Sequence, residues 1–186
     1  MNQLAAEPGE CLERHRQYLH LLVGTHLHSR QAVKIEASDV VQQTLLDAFA
    51  KRDQYRGSTD AELAAWLRQI LKNNLLEAVR NQQRDKRDVR REQSLDVAID
   101  QSFSRAEQRL LAVQSSPSQR AVRQEDLLRL ADALTKLPGT QRDAIVLHHL
   151  QGLKLAEVAT EMGRTEAAVA GLLFRGLTKL HTLLDE

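Results

Sequence analysis

Apolar residues along this chain recur every three or four positions, the period of a helix with one buried face. In residues 11–30, Leu12, Leu19, Leu22 and Val23 share one such face. A second helix is predicted over "ASDVVQQTLLDAFAKRD", with Ser38 or Asp39 as its N-cap and Val40, Val41, Leu45, Ala48 and Phe49 as its apolar side. Gly57 in "QYRGSTD" punctuates the chain. Thr59 to Glu62, "TDAE", then has the spacing of a capping box and opens a third helix, on which Leu63, Trp66, Leu67, Ile70 and Leu71 align.

Residues 93–124 break the pattern. They are polar, rich in Ser and Gln, and contain Pro117, so they read as a linker with a short helix near 104–113. The helical period resumes at Asp126 with Leu127, Leu128, Leu130, Ala131, Leu134 and Leu137. Thr140 is placed to cap a following helix that holds Ile145, Val146, Leu147 and Leu150 and stops at Gly152. No Val/Ile/Thr/Tyr alternation calls for a strand. The expected fold is all-α, with two small helical domains, 10–92 and 125–184, and a flexible join.

Composition narrows the function. Hydrophobic residues make up 42% of 186, enough for a real core, and the three Pro do little to interrupt helices. Net charge is +1, so only local charge can argue for a polyanionic partner. Such a cluster lies at Arg80, Arg84, Lys86, Arg87, Arg90 and Arg91, set against Asp85 and Asp88. The same run also suits a solvated helix face with spaced ion pairs. A single Cys11 excludes an internal disulfide and fits a reducing compartment. The first residues lack the basic and apolar regions of a secretory signal, and nothing approaches a membrane span, so a cytoplasmic location is expected. Cys11 with His15, and His26 with His28, do not complete a zinc ligand set, and His148 and His149 are expected to point to different helix faces as structural residues. No catalytic triad, phosphate loop or carboxylate pair appears, so neither cofactor nor catalysis is expected.

The stretch "LAEVATEMGRTEAAVAGLL", 155–173, meets the demands of a helix-turn-helix. Ala159 is small where two helices approach closely. Gly163 tolerates a left-handed turn residue. Val169 anchors the second helix on the first, with Leu155, Val158, Met162 and Leu172 completing the shared core, and Thr165 is its expected N-cap. An ordinary helical hairpin would satisfy the same spacings.

Read together, the two halves resemble a bacterial RNA polymerase sigma factor of the extracytoplasmic-function (ECF) group of the sigma-70 family. "SDVVQQTLLDAFAKRDQYRG" and "AWLRQILKNNLLEAVR" are similar to sigma region 2, and "LPGTQRDAIVLHHLQGLKLAEVATEMGRTEAAVAGLLFRGLTKL" to sigma region 4. The resemblance covers about residues 10–92 and 125–184. It implies a non-catalytic subunit whose partners are core RNA polymerase, through the largest-subunit clamp helices and the flap region, and promoter DNA. An anti-sigma factor or another regulator is a further partner class. By the resemblance, Asp39, Val40, Val41, Gln42 and Asp47 contact polymerase. Tyr55, Arg56, Trp66, Arg68, Lys72, Asn73, Arg80 and Arg84 lie on the segment that engages the −10 element. Arg164, Thr165, Glu166, Ala168 and Arg175 lie on the element that enters the −35 major groove.

Bland readings stand beside these roles. Trp66 shares an apolar face with Leu63 and Ile70 and reads first as core. Tyr55 fits core and base stacking equally. Asp39 could be only a cap, and Glu166 could serve the helix dipole. The family usually has Lys or Ser and Arg after the Val of the recognition helix, where this chain has Ala170, Gly171 and Leu172. The electrostatic grip of that helix is therefore small, since affinity scales with the phosphates neutralised. Two rival functions follow: a stand-alone helix-turn-helix regulator, and a helical adaptor that binds only protein.

Overall fold

Helix starts in this chain are set by a few local hydrogen bonds. At Thr59 the expected capping box forms: the Glu62 amide donates to Thr59 Oγ1 at 3.2 Å, and the Thr59 amide donates to Glu62 Oε2 at 3.0 Å. The Ser58 amide adds a third bond to the same carboxylate at 2.8 Å. That bond, then the Thr59 hydroxyl and amide, hold the Glu62 carboxyl below its usual range. The computed structural model describes residues 8–28, 35–82, 89–113 and 120–185.

Among these residues the elements are α1 (Pro8–Glu13), α2 (Arg16–His28), α3 (Ala37–Ala50), a 3₁₀ turn (Arg52–Gln54), α4 (Asp60–Gln82), α5 (Val89–Val113), α6 (Arg120–Thr135), α7 (Gly139–Ile145), α8 (Leu155–Glu161) and α9 (Glu166–Asp185). No strand occurs among the described residues. No helix of the described residues is long and apolar enough to cross a membrane.

Helices α2, α3 and α4 pack on one another around Leu19, Leu22, Val23, Val41, Ala48, Leu67, Leu71 and Leu75, all buried. Helix α5 lies across α2 and α4, and α6 rests on α2, α4 and α5. The last helix, α9, packs on α7 and α8 around Ile145, Val158 and Val169.

Four local expectations are corrected. Helix α3 begins at Ala37 with Glu36 in the cap position, so Ser38 and Asp39 lie in its first turn instead of capping it. Asp39 there still complements the helix dipole. Helix α7 begins at Gly139 because Gln141 and Arg142 donate to the Pro138 carbonyl, which puts Thr140 inside the helix. The short helix expected near 104–113 is the end of a 25-residue helix that starts at Val89. Its buried stripe of Leu95, Ile99, Phe103 and Ala106 is sparse, with Ser and Gln between, yet each large member contributes about 1.5–3 kcal/mol by leaving water. Finally, α7 continues as a π-helical turn over Val146–Leu150, where the Gln151 amide reaches the Val146 carbonyl at 2.9 Å. The wider turn separates consecutive residues by a smaller angle, so the His148 and His149 rings meet edge-on at 4.8 Å instead of facing apart.

Candidate nucleic-acid and polymerase interface

The turn between α8 and α9 is built as a helix-turn-helix requires. Gly163 has φ +61°, a left-handed conformation costly for any side chain. Thr165 Oγ1 accepts from the Ala168 amide at 3.2 Å and so caps α9. At the start of α8 the Glu157 carboxylate accepts from the Lys154 amide at 2.6 Å. Val158, Ala159, Val169 and Leu172 are buried between the helices, and Leu155 and Met162 are partly so. With the apolar side fixed, Arg164, Thr165, Glu166, Ala168 and Arg175 are all exposed. The outer face also carries Ala170 and Phe174, the latter 74% exposed.

The residues expected at the −10 element do not form one open surface. Tyr55 is buried, its ring 5.1 Å from that of the half-buried Trp66 and its hydroxyl donating to the Thr59 carbonyl at 3.3 Å. A side chain at Gly57 would collide with this ring, so Gly57 is needed beneath it. Burial, then the nearby Glu62, pushes the Tyr55 hydroxyl up to about 12. Tyr55 is thus packed in the core of this structure, as the first of its two readings expects. Arg56 and Asn73 are exposed, and Asn73 accepts from Gln69 at 3.3 Å. Arg80 is exposed near the end of α4, and Arg84 lies outside the described residues.

Arg68 and Lys72, one turn apart on α4, are held by α5. Arg68 pairs with Glu107 at 2.5 Å. Lys72 meets Asp100 at 2.5 Å and Asp96 at 3.0 Å. Burial opposes the Lys72 charge, but the two carboxylates outweigh it and raise its pKa. Glu107 also accepts from the buried Tyr18 hydroxyl, which burial and the Glu107 charge hold well above its ordinary range.

On α3, the side chains of Val40 and Val41 are buried in the bundle and do not line its outer face. Asp39 and Gln42 are exposed, and Asp47 is half-buried, accepting from Gln43 at 2.8 Å. The apolar content of this outer face comes from Leu46 and from Phe49, which was expected on the buried side with Val41 and Leu45 but is 46% exposed. Their spacing from Asp39 and Gln42, at 39, 42, 46 and 49, was the available signal.

Among the described residues the fold is helical throughout, and its last two helices have the geometry of a helix-turn-helix. Residues 12–85 match the family described as Sigma-70 region 2, and residues 127–180 match Sigma-70, region 4. The chain is 30% identical over 148 residues to the ECF RNA polymerase sigma factor EcfG of Rhodopseudomonas palustris, covering 80% of this chain and 71% of that one. It is 29% identical over 151 residues to the ECF RNA polymerase sigma factor SigL of Mycobacterium tuberculosis, covering 81% and 76%. A solved structure of the sigma factor RpoE in complex with the anti-sigma factor NepR from Bartonella quintana is similar at 24% identity with a TM-score of 0.37, covering 89% and 92%. The chain belongs to the ECF group of the sigma-70 family of RNA polymerase sigma factors.

Proposed function

We propose that this chain binds core RNA polymerase through the outer face of α3 and delivers it to promoters. Helix α4 and the loop before it engage the −10 element, and the start of α9 reads the −35 element. Its role is to position and open DNA, with no bond made or broken by its own side chains.

The observation that carries this reading is the sorting of residues about the turn at Gly163. Every expected −35 residue is exposed, while the motif's apolar anchors are buried. The amino end of α9, with its amides and dipole, suits phosphate, and Arg164 and Arg175 can reach phosphates or guanine edges. With so few cations on α9, grip is shared among the −10 segment, the −35 reader and polymerase, and tethering multiplies the weak contacts. A stand-alone regulator is less favoured because residues 12–85 match a polymerase-associated region.

The test is transcription with purified core polymerase and a library of genomic promoters. Factor-dependent start sites are expected. Arg175→Ala should cost about 1–3 kcal/mol of discrimination at one −35 position if it contacts a base through both nitrogens. Absence of any factor-dependent start would overturn the reading.

A further inference from the structure

The side of α9 that faces away from the protein is the reverse of what a solvated helix presents. A surface helix places its polar and charged residues opposite its buried stripe. In α9 the buried stripe is Val169, Leu172, Leu173, Gly176 and Leu180. Opposite it, at spacings of three and four, stand Ala167, Ala170, Gly171 and Phe174. Phe174 keeps 74% of its surface in water, the most of the large hydrophobic side chains among the described residues. Burial does not explain this ring. Helix propensity does not either, since Phe ranks below Ala, Leu and the long polar residues.

The surroundings of the ring point to its occupant. From Arg164 to Lys179 the charged residues are Arg164, Arg175 and Lys179 against Glu166, three cations to one carboxylate, all exposed. That balance calls for a polyanion. Arg175 and Lys179 lie one turn apart on one flank of the face. The Arg175 guanidinium lies back over Gly171, 3.3 Å from where a Cβ would stand. The face itself is low, with Ala or Gly at three of its four positions, so the helix can come close to its partner and only Phe174 projects. A slim helix with flanking cations suits the major groove of DNA, about 12 Å wide between walls of phosphate. On the floor of that groove the apolar feature is the 5-methyl group of thymine. Ala and Phe side chains cannot hydrogen-bond a base edge, but they do distinguish a methyl group from its absence.

We propose that Phe174, with Ala170 beside it, is a specificity-determining residue that reads thymine 5-methyl groups in the −35 element. The helix then selects A·T pairs by apolar contact, where a Lys or Arg at 170–172 would have used hydrogen bonds. At a rise of about 1.5 Å per residue, Ala170 and Phe174 stand about 6 Å apart along the helix, close to two base-pair steps of about 3.4 Å. The thymines they meet therefore lie about two steps apart, on either strand. This rests on the proposed reading of α9 as the element that enters the −35 groove.

The test uses the full chain assembled with core polymerase and a factor-dependent promoter from the genomic library. Deoxyuridine replaces thymidine at each −35 position in turn, which removes the methyl group and leaves the pairing intact. At one or two positions transcription should fall about fourfold, the factor that corresponds to one methyl returned to water. The same exchange upstream of the element should change nothing. Phe174→Ala should lower transcription from the thymidine template and erase the sensitivity to deoxyuridine at one of those positions. Its thermal unfolding should match the parent's, because the position is exposed and Ala is a strong helix former. If deoxyuridine is tolerated throughout the −35 element, or costs the Phe174→Ala variant as much as the parent, the methyl readout is wrong. If Phe174→Ala weakens co-elution with core while the two templates stay equivalent, the ring docks on protein and the proposal falls. In each of these cases the −35 assignment itself stands as long as scrambling the whole element abolishes transcription. A scrambled element that works as well as the original overturns that assignment, and the methyl readout with it.

Discussion

Gly176 of α9 lies directly beneath Ile145 of α7: a Cβ on this glycine would stand 2.9 Å from Ile145 Cδ1 and 3.2 Å from Gln141 Cβ. Ile145 is itself buried, so its tip has no open space to turn into. The two helices carrying the C-terminal core therefore touch nearly backbone to side chain. Gly176→Val should destabilise the chain by about 2 kcal/mol, since overpacking outweighs the small gain in helix propensity. Gly171 is the contrasting case. A Cβ there meets only the Arg175 guanidinium, at 3.3 Å, on an exposed and flexible side chain. Gly171→Ala should stabilise by about 0.5–1 kcal/mol through propensity alone. Thermal unfolding of the two variants checks both signs, and a Gly176→Val chain as stable as the parent would refute the packing account.

How much of this was legible beforehand depended on range. Gly163, Thr165 and the Thr59–Glu62 box could be read from sequence because each is decided within four residues. Helix α5 could not, since its Leu95, Ile99, Phe103 and Ala106 stripe is diluted by polar neighbours and gains meaning only against α2 and α4. The same holds for the site. Exposure of Arg164, Glu166 and Arg175 follows from one helix face. The burial of Tyr55, Val40 and Val41 and the capture of Lys72 by Asp96 and Asp100 depend on which helix lies across which.

Acid should weaken the fold before it weakens any ion pair. His15 is buried, with Nδ1 3.0 Å from the Cys11 carbonyl. Desolvation lowers its pKa below the ordinary 6.5, and burial lowers those of His20 and His149 as well. A depressed pKa means that the folded chain binds fewer protons than the unfolded one. Stability is then full above about pH 6.5 and falls as the pH drops toward the folded values, by up to about 1.4 kcal/mol per pH unit for each group. Urea midpoints measured from pH 7.5 to 5 should fall, and His15→Gln should flatten the decline. A midpoint that rises or holds level over this range would show that burial does not keep His15 neutral.

The outer face of α3 offers the sharpest separation between binding and folding. Leu45 and Leu46 are adjacent, yet Leu45 is buried and Leu46 is 55% exposed, with Phe49 one turn further at 46%. The Arg52 guanidinium sits 4.8 Å over the Phe49 ring and donates to the Phe49 carbonyl at 2.9 Å, which fixes the carboxyl end of the face. An aromatic and an aliphatic anchor flanked by Asp39 and Gln42 have the composition of a contact patch, in which a few residues carry most of the binding energy. Leu46→Asp should therefore weaken binding to core polymerase by about 2 kcal/mol or more. Because the position is exposed, its effect on stability should stay within about 0.5 kcal/mol. Asp39→Arg should likewise abolish co-elution with core while leaving the helical signal intact. Leu45→Asp supplies the opposite pattern, since it puts a charge into the bundle and should unfold the chain outright. If Leu46→Asp and Asp39→Arg both bind core as well as the parent, polymerase docks elsewhere, and α3 owes its exposed apolar pair to some other contact.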